Sequence, residues 1–583
     1  MNFLIKIHKS QGAVIHEFRN LDILIREKNK HRSFLYCDQN YMSKFTDRQG
    51  NLLFWIGDCI PPSGYHNREN FLNALISKFQ IDSLVFSGGF FYCIRINKSI
   101  NKSLEIYNSF LSILPIYYYE AYDHYIVSSS AFLIATILDN QPVISKRFML
   151  EKLLFNYPLS NISLFREINL VPSNCHLEIS GQLRIVKNFE IKDWFNEDPY
   201  KWEKSKEHLI NFSIQRIRSY CPDDLFFISF TSGFDSRTLV STALYHRKNF
   251  ETYSFGIEES KDIQIPKDQV KHFNIIHNSY YLDANDHLHK CLQNGLELVK
   301  LSEATANFAR SHYVWAVKQI AKKSGVFMTG NFGSELFRAF HNTGVVVSPL
   351  LYYMFAEKNL MKITNNLEKR SELSFINKDI FKDELQELKD YLNNEHKKIN
   401  PNNINKSFYL FIFNEVFRKY FGAEIKMQLN YALNRSPFID PELVKEVLKT
   451  EVAGIYSKFY ENNPLKRLKG QLFYAEVMKR TCPTMLKLKT GRGYGPGDLL
   501  TRSGKIKIAL SYLHKKTRTS QDADSFGVDL CLQSKKEVLR SLKDKSGMFK
   551  LNNLSSFLHG NSWQQNQIIN VVSFIMVLNE LEF

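Results

Sequence analysis

One short stretch constrains this chain more than any other. Leu225-Phe226-Phe227-Ile228-Ser229-Phe230 is a nearly continuous apolar run. Such a run suits a strand buried on both faces, as in a parallel sheet. Thr231-Ser232-Gly233-Phe234-Asp235-Ser236-Arg237 follows at once, and Thr238–Leu244 then shows helical spacing. Small residues let the backbone turn tightly and aim successive N–H groups at an anion. The helix that follows adds its N-terminal dipole and unpaired donors. Ser232 and Ser236 add hydroxyls. Asp235 would repel a phosphate unless a cation such as Mg²⁺ lay between them. The loop is not a GxxxxGK[ST] phosphate loop. An ordinary strand-to-helix turn has the same composition, so the loop alone leaves function open.

The flanking pattern places the loop in a larger plan. Thr252–Gly256 and Val326–Gly330 read as further short strands, the second again followed by a helix. Strands alternating with helices from about residue 205 onward predict a parallel α/β sheet. The first 190 or so residues read differently. Leu84-Val85-Phe86, Gly88–Ile96, Leu114–Tyr119 and Tyr125–Ser128 are short β-branched and aromatic runs, the pattern of antiparallel sheet. His176–Ile179 and Leu183–Val186, around Ser180-Gly181-Gln182, read as a hairpin. The charged stretch Lys192–Lys206 marks the boundary, giving domains 1–195 and 205–583. Residues 357–406, rich in Lys, Glu and Asn, read as a surface helical insertion.

Composition agrees with two cores and excludes several classes. The chain has 583 residues, 44% of them hydrophobic, too long for one small module and too apolar for a disordered chain. Lys and Arg number 76 against 59 Asp and Glu, a net charge of +17. That excess suits an anionic partner (nucleic acid, a membrane surface or a phosphate-bearing cofactor) or a solvated basic surface. The eight cysteines form no CxxC pair and no HExxH occurs, which argues against a structural zinc site and points to reduced thiols in a cytoplasmic protein. The longest apolar runs, Gly344–Ala356 and Val571–Leu578, are too short to span a bilayer, and the first residues lack the apolar stretch of a signal peptide.

The Thr231–Ser236 loop resembles the SGGxDS pyrophosphate loop of the asparagine synthetase family, a branch of the PP-loop ATP pyrophosphatases. Thr231 and Ser232 replace the motif's first Ser and first Gly, while Gly233, Asp235 and Ser236 keep the rest. Leu114–Tyr119 with Val127–Ser130 resembles "KPLYYY…ASE", and Phe165–Ile168, Val171–Ser173 and His176-Leu177 resemble the strand pair closing the N-terminal domain. Ser254-Phe255-Gly256 resembles the second strand of the nucleotide domain. Thr329-Gly330-Asn331-Phe332-Gly333-Ser334-Glu335-Leu336-Phe337 is similar to "SGEGxDELF", Arg435–Asp440 to "RxPFLD", and Lys489–Gly495 to the late "K-x-GF" segment. Several motifs in the right order over most of the chain carry the resemblance.

The resemblance implies an N-terminal Ntn-hydrolase-like antiparallel β-sandwich with helices and a C-terminal parallel α/β PP-loop domain. It implies activation of a carboxylate by ATP as an acyl-adenylate with release of pyrophosphate, then attack by an amine or ammonia. ATP and Mg²⁺ are the implied cofactors. Thr231, Ser232, Gly233, Phe234, Asp235, Ser236, Gly256 and Gly330 are the expected nucleotide contacts, with Asp235 and Glu335 on the metal. Lys489, with Lys487 as the near alternative, would bear on the phosphate or the developing oxyanion. Glu303, Asn307 and Arg310, spaced i, i+4 and i+7 on an expected helix, are candidates for a substrate pocket, though a surface ion pair explains them equally well. Arg435 and Asp440 are expected to hold the fold.

Two departures from the family pattern carry consequences. Position 2 is Asn2 where glutamine-dependent members have a nucleophilic Cys, so the N-terminal domain is not expected to hydrolyse glutamine in that way. Asn331 stands where the family has an acid–base Glu, and Ser334 where it has a metal-binding Asp. An amide can orient a substrate but cannot take a proton at neutral pH. A weakened adenylate-binding scaffold and a tRNA-directed PP-loop enzyme therefore stay as alternatives to the ligase. The basic stretch His514-Lys515-Lys516-Thr517-Arg518 reads as a solvated helix face, since no nucleic-acid module appears. The expected partners are a small-molecule or peptide carboxylate and an amine, with a homodimer allowed. Ser99–Lys102 plus Lys489-Thr490-Gly491 mimics SxxK and KTG without an SDN. The glycines at 491, 493, 495 and 497 do not form GxGxxG, and read as a loop closing over the site.

Overall fold

The computed structural model describes residues 1–11, 17–20, 33–38, 41–98, 103–338, 344, 346–460, 466, 469–491, 493–514, 547–550 and 562–581. Ser99, Arg492, Cys531 and the basic residues Lys515, Lys516 and Arg518 lie outside the described residues.

Two six-stranded sheets build the N-terminal region. One runs in space Asn169–Leu170, Tyr117–Glu120, His124–Ser128, Phe3–His8, Phe34–Cys37, Glu17–Asn20. The other runs Gln182–Lys187, Cys175–Ser180, Leu104–Asn108, Phe91–Ile96, Leu52–Gly57, Met42–Thr46. Strands pair antiparallel except Glu17–Asn20, which lies parallel to Phe34–Cys37. Side chains alternate between the faces of the second sheet, as a strand's two-residue period requires. Phe54, Ile56, Tyr92 and Ile94 enter the main core, while Leu53, Trp55, Phe91 and Cys93 join a separate cluster with Phe71, Leu72 and Leu75 of helix Arg68–Ser77. The expected hairpin forms, with Ser180 opposite Gln182 and Gly181 at φ 87°. The stretch Leu84-Val85-Phe86, read as strand, departs from expectation: Leu84 and Val85 end the short helix Ile81–Val85, and the strand starts at Phe91. Three apolar residues suffice to bury either element, so periodicity does not separate them.

From Trp202 the architecture changes. Five parallel strands form one sheet in the spatial order His277–Tyr281, Phe250–Gly256, Phe226–Ser229, Val326–Met328, Leu433–Arg435. The central strand, Phe226–Ser229, is the apolar run that the sequence singles out. Phe226 and Ile228 join the main core on the side of helices Trp202–Tyr220, Phe234–Tyr245 and Gln471–Thr481. Phe227 faces a second cluster with Val314, Val317 and Ile320 of helix Ser311–Ala321 and with Ala423 and Met427 of helix Gly422–Gln428. Helices Leu360–Glu368, Lys382–Lys397 and Ile404–Phe411 occupy the expected insertion. It is not only surface: Leu388 and Leu392 are buried, and helix Lys382–Lys397 packs on helix Lys146–Phe155 of the N-terminal region. Among the described residues no helix is long and apolar enough to cross a membrane.

Buried charge ties the two regions together. Asp440 accepts from Arg216 and from the Tyr220 hydroxyl and caps helix Pro441–Leu448. Arg216 also donates to the carbonyl of Pro61, 3.1 Å away in the N-terminal region. Arg435 grips Asp58 of that region through two bonds of 2.7 and 3.0 Å. A π-helix, Ile412–Phe421, extends the seam: Arg418 donates to the Val171 carbonyl and Lys419 to the Ser160 carbonyl, each at 3.0 Å. Gly422 then passes so close to the Ile113 carbonyl that a Cβ would lie 2.4 Å from its oxygen.

Removing one partner of a buried pair strands the other charge, at a cost of about 3–5 kcal/mol. Asp440→Ala is therefore expected to lower the unfolding free energy by about that amount in urea denaturation. The double change Arg216→Met with Asp440→Leu is expected to recover most of the loss; a single-mutant loss under about 1 kcal/mol would contradict the assignment.

Candidate functional site

The strand order creates the site. From Phe226–Ser229 the chain steps to Phe250–Gly256 and His277–Tyr281 on one side, then returns to Val326–Met328 and Leu433–Arg435 on the other. Connections leaving the two adjacent strands Phe226–Ser229 and Val326–Met328 therefore diverge, and a crevice opens at their C-terminal ends. The loops Thr231–Ser236 and Thr329–Ser334 both emerge there.

The first loop is stapled from within. The buried Ser236 hydroxyl accepts from the Thr231 N–H at 3.0 Å and lies 3.1 Å from Thr231 Oγ1, which accepts from the Gly233 N–H at 3.2 Å. The Ser236 oxygen thereby shapes the loop. Helix Phe234–Tyr245 begins without a side-chain cap, leaving its N-terminus to face a ligand.

The two loops touch at glycines. A Cβ on Gly330 would stand 2.9 Å from Asp235 Cβ and 3.2 Å from the Ser236 nitrogen; one on Gly333 would stand 2.9 Å from Asp235 Oδ1. Ser334 donates to Asp235 Oδ2 at 2.8 Å, and the Tyr474 hydroxyl faces the same carboxylate. Burial pushes the Asp235 carboxyl above its ordinary range, opposed by the Tyr474 and Ser334 hydroxyls and by the Arg338 charge. Burial likewise pushes the Glu335 carboxyl up to about 7, with Asp235 adding to the rise and Arg338 opposing it. Two desolvated carboxylates thus face each other beside one cation. Among the described residues no cluster of three or more His, Cys, Asp or Glu could hold a metal. Two hard oxygens still suit Mg²⁺, which takes one or two carboxylates and completes its shell with water and phosphate oxygens. Asp235 and Glu335 are the residues that fit it.

Between them Phe332 takes the left-handed conformation, φ 69°, a strain rare outside glycine. Its fully buried ring packs 4.7 Å from Phe421 and 5.2 Å from Phe417 on the π-helix. The Asn331 amide nitrogen is buried without a hydrogen-bond partner.

Lys489 lies on a strap that crosses the first loop. The Arg237 guanidinium donates to the carbonyls of Leu488 at 2.5 Å and Lys489 at 2.9 Å, and Gln269 donates to the Lys489 carbonyl at 2.8 Å. Lys261 reaches the Gly491 carbonyl, and a Cβ on Gly491 would lie 3.6 Å from Ser232 Oγ. The Lys489 and Lys487 side chains are exposed. Gly256 ends its strand against Ser260.

Three candidates sit differently from expectation. Glu303, Asn307 and Arg310 share no helix: Glu303 and Ala304 have φ 57°, and a 3-10 turn follows at Phe308–Arg310. The reason is tertiary. Buried Lys152 draws in the carbonyls of Ala304 and Ala306, which a helix would have used internally. Glu303 pairs with Lys426 and accepts the Ala131 N–H at 2.9 Å. Asn307 donates to Asn566 and Asn570 of helix Ser562–Glu580. Arg310 pairs with Glu424 at 2.5 Å.

With this geometry in place, residues 227–453 match the asparagine synthase family model. Over this stretch the chain is similar to the asparagine synthase family. No curated protein matches the chain significantly. Asparagine synthases are ATP-dependent ligases, and the matched stretch includes the Thr231 and Thr329 loops and the Arg435–Asp440 seam. Tyr474, Arg237, Arg338 and Phe332 are the site's neighbours that motif reasoning does not assign. Arg237 and Phe332 stood inside quoted motifs, but nothing in their spacing announces a strap or a strained loop. Tyr474 lies outside the family match, on a helix whose burial pattern alone accounts for it.

Gly330→Ala has no room except by separating the loops, so it is expected to weaken ATP binding at least tenfold in calorimetry while leaving the circular-dichroism spectrum unchanged. For Glu335, a raised folded carboxyl means that unfolding releases a proton between about pH 4.5 and 7, so stability falls as pH rises through that window and stays lower above it. Glu335→Gln removes this fall. At pH 8 the variant is expected to be more stable than the parent by about 1–3 kcal/mol, with the difference vanishing near pH 4, as read by denaturation at both pH values.

Proposed function

We propose that the chain is an ATP-dependent, AMP-forming carbon–nitrogen ligase acting without a glutaminase of the N-terminal-thiol type. The observation that carries this reading is the Gly330–Asp235 approach, which brings the two nucleotide-domain loops and their carboxylates into one crevice. In the first step a carboxylate oxygen of the acid attacks the α-phosphorus of ATP. The Pα–O bond to the β-phosphate breaks, and pyrophosphate leaves from an acyl-AMP. In the second step an amine attacks the acyl carbon, the C–O bond to AMP breaks, and the amine proton passes to solvent or to a basic group. The Thr231–Ser236 turn and the start of helix Phe234–Tyr245 hold the pyrophosphate. Arg237 and Gln269 hold the backbone of the Lys489 strap beside it, and in this reading the Lys489 ammonium meets the phosphate charge. Asp235 and Glu335 would hold Mg²⁺, which when bound would offset the leaving group's charge.

Asn2 offers no nucleophile to glutamine. Its amide is engaged by Ser129 at 3.1 Å and Asn430 at 3.4 Å, the second a contact across the domain seam. In this reading the amine is free ammonia or an amine substrate. Asn331 and Ser334, standing where the family motif has carboxylates, favour the second reading of an adenylate-binding scaffold. ATP–pyrophosphate exchange across a panel of carboxylic acids separates the two. Exchange with at least one acid, reduced 100-fold or more by Asp235→Ala, is the expected result. ATP binding without exchange for any acid would establish the scaffold instead.

A further inference from the structure

Beside the crevice lies a cavity of about 190 Å³ whose lining differs from what an amino-acid substrate requires. It sits on the sheet face under helices Ser311–Ala321 and Gly422–Gln428, and reaches the site loops at Thr231, Gly330 and Asn331. Its walls are Tyr253, Phe255, Tyr313 and Phe327, closed by Val317 and Ile320. An apolar cavity of about 150 Å³ suffices for a benzene ring.

The polar groups of this lining are almost all committed to one another. Glu424 is held by Arg310 and by Gln428, and Gln428 accepts from Asn434 at 2.6 Å. Thr329 Oγ1 lies 2.9 Å from the Ser436 hydroxyl, and Thr231 Oγ1 serves its own loop. The Tyr253 hydroxyl faces Ser229. Asn331 is the exception, because its amide nitrogen is a buried donor with no acceptor, at the end where the cavity meets the loops. A buried unpaired donor costs free energy until a ligand supplies an acceptor. No Lys, Arg or His is among the described residues that line the cavity. The second, α-carboxylate of aspartate would enter it without a counter-charge.

Resting on the ligase reading above, we propose that this cavity holds the aromatic or hydrocarbon tail of a monocarboxylic acid. The carboxylate oxygen of that acid accepts from the Asn331 amide nitrogen at the mouth, beside the Thr231 loop. An amide at this position welcomes the carboxylate, where a Glu side chain would repel it. Aspartate is a poor acid for this enzyme, and the specificity determinants are Asn331 and the residues that set the cavity's volume, such as Ala316.

The test is ATP–pyrophosphate exchange by the full chain with 3-phenylpropionate, hexanoate, acetate and aspartate, run beside ATP binding by calorimetry. Phenylpropionate or hexanoate is expected to support exchange with a KM at least tenfold below acetate's, and aspartate to give none. Ala316→Leu, which fills the cavity, is expected to raise the KM for phenylpropionate at least tenfold with the KM for ATP unchanged within twofold. Should that variant fail to fold, the nearly isosteric Asn331→Asp decides, with the same expected rise for the acid alone. Aspartate as the best acid overturns the proposal and leaves the ligase reading standing. A variant that raises the KM for ATP instead of the acid also overturns it, since the cavity would then serve the nucleotide. Exchange with none of the four acids overturns it as well, while the ligase reading falls only if the wider panel of carboxylic acids also gives no exchange.

Discussion

Parallel pairing governs this molecule. A strand with parallel neighbours on both sides must send its chain away over a face of the sheet, and the two directions of travel part at one point. Here they part between Phe226–Ser229 and Val326–Met328. Everything chemical follows from that divergence: the Thr231 and Thr329 loops meet, Gly330 and Gly333 let them close on Asp235, and the helix dipole points into the gap. The carboxylates in the crevice are desolvated because the loops are close, and a desolvated carboxylate gains most from a cation and a ligand.

The N-terminal sheets serve this crevice through the seam. The π-helix Ile412–Phe421 carries two kinds of contact. Arg418 and Lys419 bond carbonyls of the N-terminal region, while Phe417 and Phe421 enclose Phe332. The aromatic packing offsets the strain of a left-handed Phe332, which is of the order of 1–3 kcal/mol. The loop that carries Asn331 and Ser334 is therefore held by an element that the other domain also grips. The C-terminal helix Ser562–Glu580 adds a second clasp, since Asn566 and Asn570 bond both Asn156 and Asn307.

Much of the plan was legible from residue order. The Phe226–Ser229 strand, the turn after it, the hairpin at Gly181 and the change of pattern near residue 200 all rest on local signals: apolar run length, small residues, two-residue alternation. The helix expected across Glu303–Arg310 rested on the same kind of signal and failed. Lys152, some 150 residues earlier, takes the carbonyls that the helix needed, and no spacing rule sees that. Leu84–Phe86 failed for want of length.

What the sequence by itself determined is the inventory: a strand–turn–helix able to take an anion, a set of motifs in family order, and the amide and hydroxyl at 331 and 334 in place of carboxylates. The tertiary structure alone decided how that inventory is used. Only folding shows that Ser236 braces its own loop, that Arg237 holds the Lys489 strap, and that Tyr474 and Glu335 close on Asp235. The reason is physical: turn and strand propensity act over a few residues, whereas burial, ion pairing and ligand geometry depend on which distant segments share a low-dielectric space.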